Sequence, residues 1–185
     1  ICMNTAGCGA IGYGDITTIA GTGDWGFSGD GGPAKNAILS RPNGITSDGD
    51  GNLAIADTAN NRIRKACRNL AGCGTIAYGN IDTVVGTGTE TFLGDSGPAT
   101  SATMQGPYSL VFDSQGNLII SDLFDNLIRR VCRIEAGCGT LKYGDIDTIA
   151  GTGNFGHTGD DGPATSADLA LPFGVAVDSS GNLFF

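Results

Sequence analysis

The chain is written on a ruler of 65 residues. G-T-G triplets open at Gly21, Gly86 and Gly151, and the loops that follow end at Pro42, Pro107 and Pro172. Asp48, Asp113 and Asp178 keep the same step, as do the G-N-L tripeptides at Gly51, Gly116 and Gly181. A fixed period of this length marks a repeat architecture in which each unit covers its apolar faces against its neighbours. One unit alone is not expected to fold.

The 32 glycines among 185 residues fall at fixed phases between apolar runs, so they mark turns and not a disordered tract. A net charge of −9 repels nucleic-acid phosphates and anionic membrane surfaces, and no apolar run reaches the roughly 18 residues that span a bilayer. Ile1-Cys2 sits at the phase of Ala66-Cys67, and Gly181-Asn182-Leu183 stands where earlier copies continue into a strand. The chain is therefore expected to be an excerpt or processed piece of a longer repetitive protein.

Six cysteines follow the ruler, with Cys2, Cys67 and Cys132 at one phase and Cys8, Cys73 and Cys138 at another. Each C-x5-C pair can bend its Cα atoms to within the roughly 4.4–6.8 Å that a disulfide needs. One local bridge per unit implies an oxidising compartment, hence secretion or the cell surface; reduced, half-buried thiols are the alternative. Two thiolates per unit with a single histidine, His157, do not complete a zinc site.

Within the unit, Gly44–Asp48, Tyr108–Asp113 and Gly174–Asp178 read as innermost strands buried on both faces. The turns DGDGN, DSQGN and DSSGN follow. The first, with Asp48 and Asp50, looks like the opening of a calcium loop, but Gln115 and Ser180 replace the second carboxylate in its copies. A hairpin turn with Gly in the left-handed position accounts for all three. Second strands at Asn52–Asp57 and Asn117–Asp122 lead into third strands at Arg62–Cys67 and Leu127–Cys132, whose alternation suits a half-exposed strand. Arg64 and Arg129 are expected to pair with Asp57 and Asp122 as surface register marks, each worth at most about 1 kcal/mol. The cysteine loop delivers a fourth strand at Asp15–Ala20, Asn80–Val85 and Asp145–Ala150, and a long loop then leads to the next proline. Four short strands with hairpin links form one propeller blade.

The strings IAGTG, GFSGDGGPA, RPNGI and DGDGNLAIADTANNRIRK in the first copy, with GDDGPATSADLALPFGVAVDSSGNL in the last, resemble the NHL-repeat family over nearly the whole chain. The cysteine-bracketed insertion AGCGAIGYGD and its copies depart from the family's shorter units. The resemblance implies a β-propeller, most often of six blades. It leaves function open among extracellular interaction domains, sensors, RNA binders and a minority of lyases and lactonase-like hydrolases.

In an up-and-down blade the second-to-third turns and the long interblade loops share one end, and the cysteine loops decorate the other. At the loop-rich end Asp30, Asp95 and Asp160 recur at one phase, either as a ring of carboxylates toward a cation or as builders of the turns before Pro33, Pro98 and Pro163. Turn building is favoured, because a binding site rarely needs every copy. Positions that differ between units are better candidates for specificity: Trp25, Phe27, Phe92, Phe155 and His157 can anchor a partner or pack against a neighbouring blade. Lyases among the family's members hold zinc with several histidines, whereas His157 stands alone.

The expected fold is all-β: four-stranded antiparallel blades in three 65-residue repeats, part of a larger propeller or repeat assembly. Residues 1–41 end one blade, 42–106 and 107–171 are complete repeats, and 172–185 begin the next. Three blades do not close a ring, so further blades or further chains are needed; open head-to-tail contact yields a fibre and closure a disc. The expected function is an extracellular binding or assembly scaffold without catalysis or cofactor, whose partners are other protein chains or copies of itself. A filament or surface-layer subunit, and a lyase or hydrolase with its site in other blades, are the alternatives.

Overall fold

The structure, a computed structural model, describes residues 12–185. The Cys2–Cys8 pair lies outside the described residues. Two copies of one antiparallel sheet dominate. The first has the order β1-β2-β3-β4, with β1 at Pro42–Ser47, β2 at Leu53–Asp57, β3 at Arg62–Ala66 and β4 at Ile81–Val85. The second runs from β6 (Pro107–Phe112) through β7 (Leu118–Asp122) and β8 (Leu127–Val131) to β9 (Asp145–Ala150), and a two-residue strand β5 (Gly97–Pro98) is added outside β9. A hairpin of β10 (Ala176–Val177) and β11 (Leu183–Phe184) follows.

The central strands carry continuous apolar runs, Leu53-Ala54-Ile55-Ala56 and Leu118-Ile119-Ile120, because both faces of each sheet are covered. Between the sheets Ala56, Ile63, Val85 and Met104 of one unit meet Leu118, Ile120, Val131 and Ile146 of the next in a single core. Each fully buried Ile there contributes about 1.5–3 kcal/mol. The inner strands β1 and β6 run close together, and a methyl at Gly44 would strike the Tyr108 carbonyl. Glycine is therefore required where the strands converge toward the axis.

The turn aspartates do local work. Asp48 Oδ1 accepts hydrogen bonds from the N–H groups of Asp50 (3.1 Å) and Asn52 (2.9 Å), and Asp113 and Asp178 repeat this in their own turns. The following Asn pegs the cysteine loop: Asn52 Oδ1 accepts from Arg68 N and Asn69 N, and Asn117 Oδ1 from Arg133 N. Disulfides close two of these loops, Cys67–Cys73 with Cα atoms 5.7 Å apart and Cys132–Cys138 with 5.8 Å.

The outer edges are not bare. The loop before the first sheet bonds along β4 through Gly31 N to Ile81 O (2.9 Å) and Ile81 N to Gly32 O (3.0 Å), and β5 does the same for β9. A covered edge offers no template for strand addition.

Three expectations need correction. Asp15–Ala20 forms no strand, and no partner strand lies beside it, among the described residues. The inner strand β1 is largely exposed and β6 only partly buried, since their axial side is open; burial on both faces belongs to β2 and β7 instead. The alternation of β3 and β8 does not expose their arginines: Arg64 and Arg129 are 0 % exposed. Each loop disulfide closes a short ring whose entropic contribution is about 2 kcal/mol. Denaturant titration with and without reductant should show a loss of that order per bridge; an unchanged midpoint would mean that the bridges do not constrain the unfolded chain.

Candidate binding face

Arg64 and Arg129 organise the loop-rich end. Each leaves the third strand, passes under the second-to-third turn and reaches into the long loop that precedes its own blade. Arg64 pairs with Asp57 (3.3 Å) and Asp30 (2.5 Å), donates to the Ser28 carbonyl and lies 4.8 Å from the Phe27 ring centroid. Arg129 pairs with Asp122 (3.7 Å) and Asp95 (2.6 Å), donates to the Thr103 carbonyl and lies 5.0 Å from Phe92. The two carboxylates and the carbonyl take up the terminal N–H groups of each buried guanidinium, while Nε has no partner among the described residues, and these contacts fix each loop against its sheet.

This explains four of the candidates. Phe27, Asp30, Phe92 and Asp95 belong to the clamp, and Asp30 also accepts the Thr83 hydroxyl proton at 2.7 Å. Asp30 and Asp95 are each held by a buried arginine, a pairing the sequence analysis did not anticipate, since it matched these arginines with Asp57 and Asp122. Asp160, His157 and Phe155 are exposed, Phe155 at 71 %. Trp25 is 73 % exposed, with the Arg41 guanidinium 5.2 Å from its ring centroid. All eight candidates are exposed, and four of them also touch the clamp arginines.

One clamp differs from the other. In the first sheet Asn60 donates to Asp57 Oδ1 (2.9 Å) and to the Gly26 carbonyl (2.7 Å). One period later the residue is Asp125, which has no N–H to give, so two carboxyls face each other beside Arg129. Asp122 Oδ2 and Asp125 Oδ2 are buried without a hydrogen bond among the described residues. Burial, with the Asp125 charge next in weight, pushes the Asp122 carboxyl up to about 8, and burial raises Asp125 as well. Both shifts favour retention of a proton by the pair in the native state.

The seam between the two sheets carries polar ties at the same end. Gly106 N donates to Asn61 Oδ1 (2.8 Å), and the Thr58 hydroxyl donates to the Pro107 carbonyl (2.7 Å). Above them opens a groove of about 620 Å³, into which Arg41, Asn43, Glu90, Gln105, Tyr108 and Phe124 face. Phe124 lies over Gly106, which has φ +69°, and any Cβ there would strike the ring. In the first unit the same two phases hold Arg41 and Ala59, so this aromatic platform is peculiar to the second. Sequence reasoning missed all six groove residues, although the signal was present: all six lie at phases whose residue changes from unit to unit, the same criterion that singled out Trp25.

Sheets of four short antiparallel strands, repeated about an axis with inner strands in contact, define this protein as one built of β-propeller blades. Residues 39–66 match the NHL repeat. No curated protein matches the chain. Among solved structures it is similar to a protein of unknown function from Bacteroides thetaiotaomicron VPI-5482, with a TM-score of 0.65 and 18 % identity over 91 % of this chain and 36 % of that one. It is also similar to auxiliary nutrient binding proteins from Bacteroides ovatus ATCC 8483 (TM-score 0.53, 19 % identity, 74 % of this chain and 32 % of that one) and Bacteroides thetaiotaomicron (0.50, 17 %, 74 % and 32 %). The chain spans about a third of the length of these structures.

Because the native state holds a proton that the unfolded chain has released above pH 4, the Asp122–Asp125 pair contributes stability that declines as pH rises toward about 8. Thermal melts should show this decline, and Asp125→Asn, which restores the donor present in the first sheet, should flatten it. Equal slopes for the two proteins would show that no proton is shared.

Proposed function

We propose that this chain belongs to an extracellular, non-catalytic propeller scaffold that holds its ligand or partner on the loop-rich face. The observation that carries this is the division of labour at that face. Residues repeated in both sheets, Arg64 and Arg129 with their aspartates, are engaged in holding loops. Residues peculiar to one unit line the groove or stand exposed beside it. A scaffold that keeps its frame constant and varies its contact positions is suited to recognition. The disulfides support an oxidising compartment, and the nutrient-binding proteins that share the fold support a binding role. The covered outer edges of β4 and β9 disfavour filament growth by strand addition.

The test is a panel of immobilised proteins, peptides and polysaccharides probed with three forms of the protein. Whatever binds the unaltered protein should lose at least about tenfold in affinity with Phe124→Ala and keep it with Tyr143→Ser, an exposed residue of the cysteine end. Binding that follows Tyr143 and ignores Phe124 would move the site to the opposite face.

A further inference from the structure

The groove between the two sheets has a chemistry that selects among ligands. Its volume, about 620 Å³, lies within the roughly 300–1,000 Å³ typical of small-ligand sites. Its two aromatic residues are placed differently. Phe124 is 55 % exposed and lies against the backbone of Gly106, so one ring face is backed by the protein and the other is free. Tyr108 is held edge-on by Phe173, with ring centroids 5.1 Å apart at 88°, which fixes its plane. Around them stand the planar polar groups of Asn43, Gln105, Arg41 and Glu90. Asn43 is itself oriented by its side-chain amide donating to the Arg41 carbonyl (3.1 Å), and the Gln105 backbone is anchored by its N–H donating to Asp122 Oδ1 (2.8 Å).

Flat aromatic faces beside amide, guanidinium and carboxylate groups suit a ligand with apolar C–H faces and a periphery of hydroxyls. The two formal charges of the lining oppose each other, so the groove does not favour an ion of either sign, and the net charge of −9 disfavours acidic polymers. The covered sheet edges leave an extended peptide little backbone to pair with at the outer strands. From these features we infer that the groove formed by Arg41, Asn43, Glu90, Gln105, Tyr108 and Phe124 is a binding site for a short neutral oligosaccharide, with Phe124 as its stacking platform. This rests on the assignment of the loop-rich face as the binding face and names the ligand class for it.

Arg41 joins the groove to the single tryptophan, since its guanidinium lies over the Trp25 ring. A sugar that engages Arg41 changes the surroundings of that ring, so Trp25 emission reports occupancy. The test is fluorescence titration, checked by calorimetry, with defined neutral glucan, mannan, xylan and chitin oligosaccharides. At least one series should bind saturably. Phe124→Ala, which installs the residue found at the same phase of the first sheet, should weaken it at least tenfold, and Phe124→Trp should retain it. A Tyr143→Ser control should leave it unchanged. Absence of binding across all four series, or binding indifferent to Phe124→Ala, would overturn the proposal. Peptide or protein binding that is lost with Phe124→Ala while all four sugar series fail would overturn the oligosaccharide assignment and leave the binding face standing. Sugar binding that follows Tyr143 instead would overturn both.

Discussion

The buried guanidinium in each sheet is the interaction on which the loop-rich end depends. The long loops bury a few mostly small apolar side chains, Ala34 and Ala37 in the first and Ala99, Ala102 and Met104 in the second. Arg64 and Arg129 provide a point of attachment that reaches three segments at once: the end of the second strand, the loop carbonyls and the loop aspartate. Desolvating such a group is costly, and its removal would leave carboxylates buried without a counter-charge. Its position is therefore tightly determined, and so are the loops tied to it. Those loops also cover the outer sheet edges, so the same attachment that shapes the face protects the blade.

Much of the fold is written openly in the sequence. The period of 65, the D-x-x-G-N turns and the apolar runs at 53–56 and 118–120 fix strand number and order, because each reflects a local constraint: a turn aspartate that accepts two backbone N–H groups, or a strand covered on both faces. The cysteine spacing likewise specifies a local bridge. The arginines were misread for a physical reason. A basic residue alternating with apolar neighbours signals a solvated face unless acceptors arrive from elsewhere, and here they arrive from Asp30 and Asp95, each 34 residues earlier in the chain. Nothing local to β3 or β8 announces this.

The groove was hidden for a related reason. Its walls come from the start of β1, the start of β6, two turns and one long loop, brought together only when successive blades pack. What the sequence did contain was contrast between units. Phases 43, 59 and 41 read Asn, Ala and Arg in the first sheet and Tyr, Phe and Gly in the second. The exchange of Arg for Gly and of Ala for Phe is mutually dependent, because the ring occupies the space that a Cβ at position 106 would fill. The substitution of Asn60 by Asp125 beside it converts a neutral tie into a proton-holding one. Frame and contact surface are thus separable residue by residue, although they share the same turns.

The most direct test of this account is a double-mutant cycle on Arg129 and Asp95 by chemical denaturation, using Arg129→Met, Asp95→Asn and the double variant. If the buried guanidinium holds the loop to the sheet, the two changes are not additive, and the coupling exceeds about 0.5 kcal/mol. Additivity within about 0.3 kcal/mol would mean that the ion pair contributes nothing beyond its separate parts. The long loop would then have to be held by something other than Arg129.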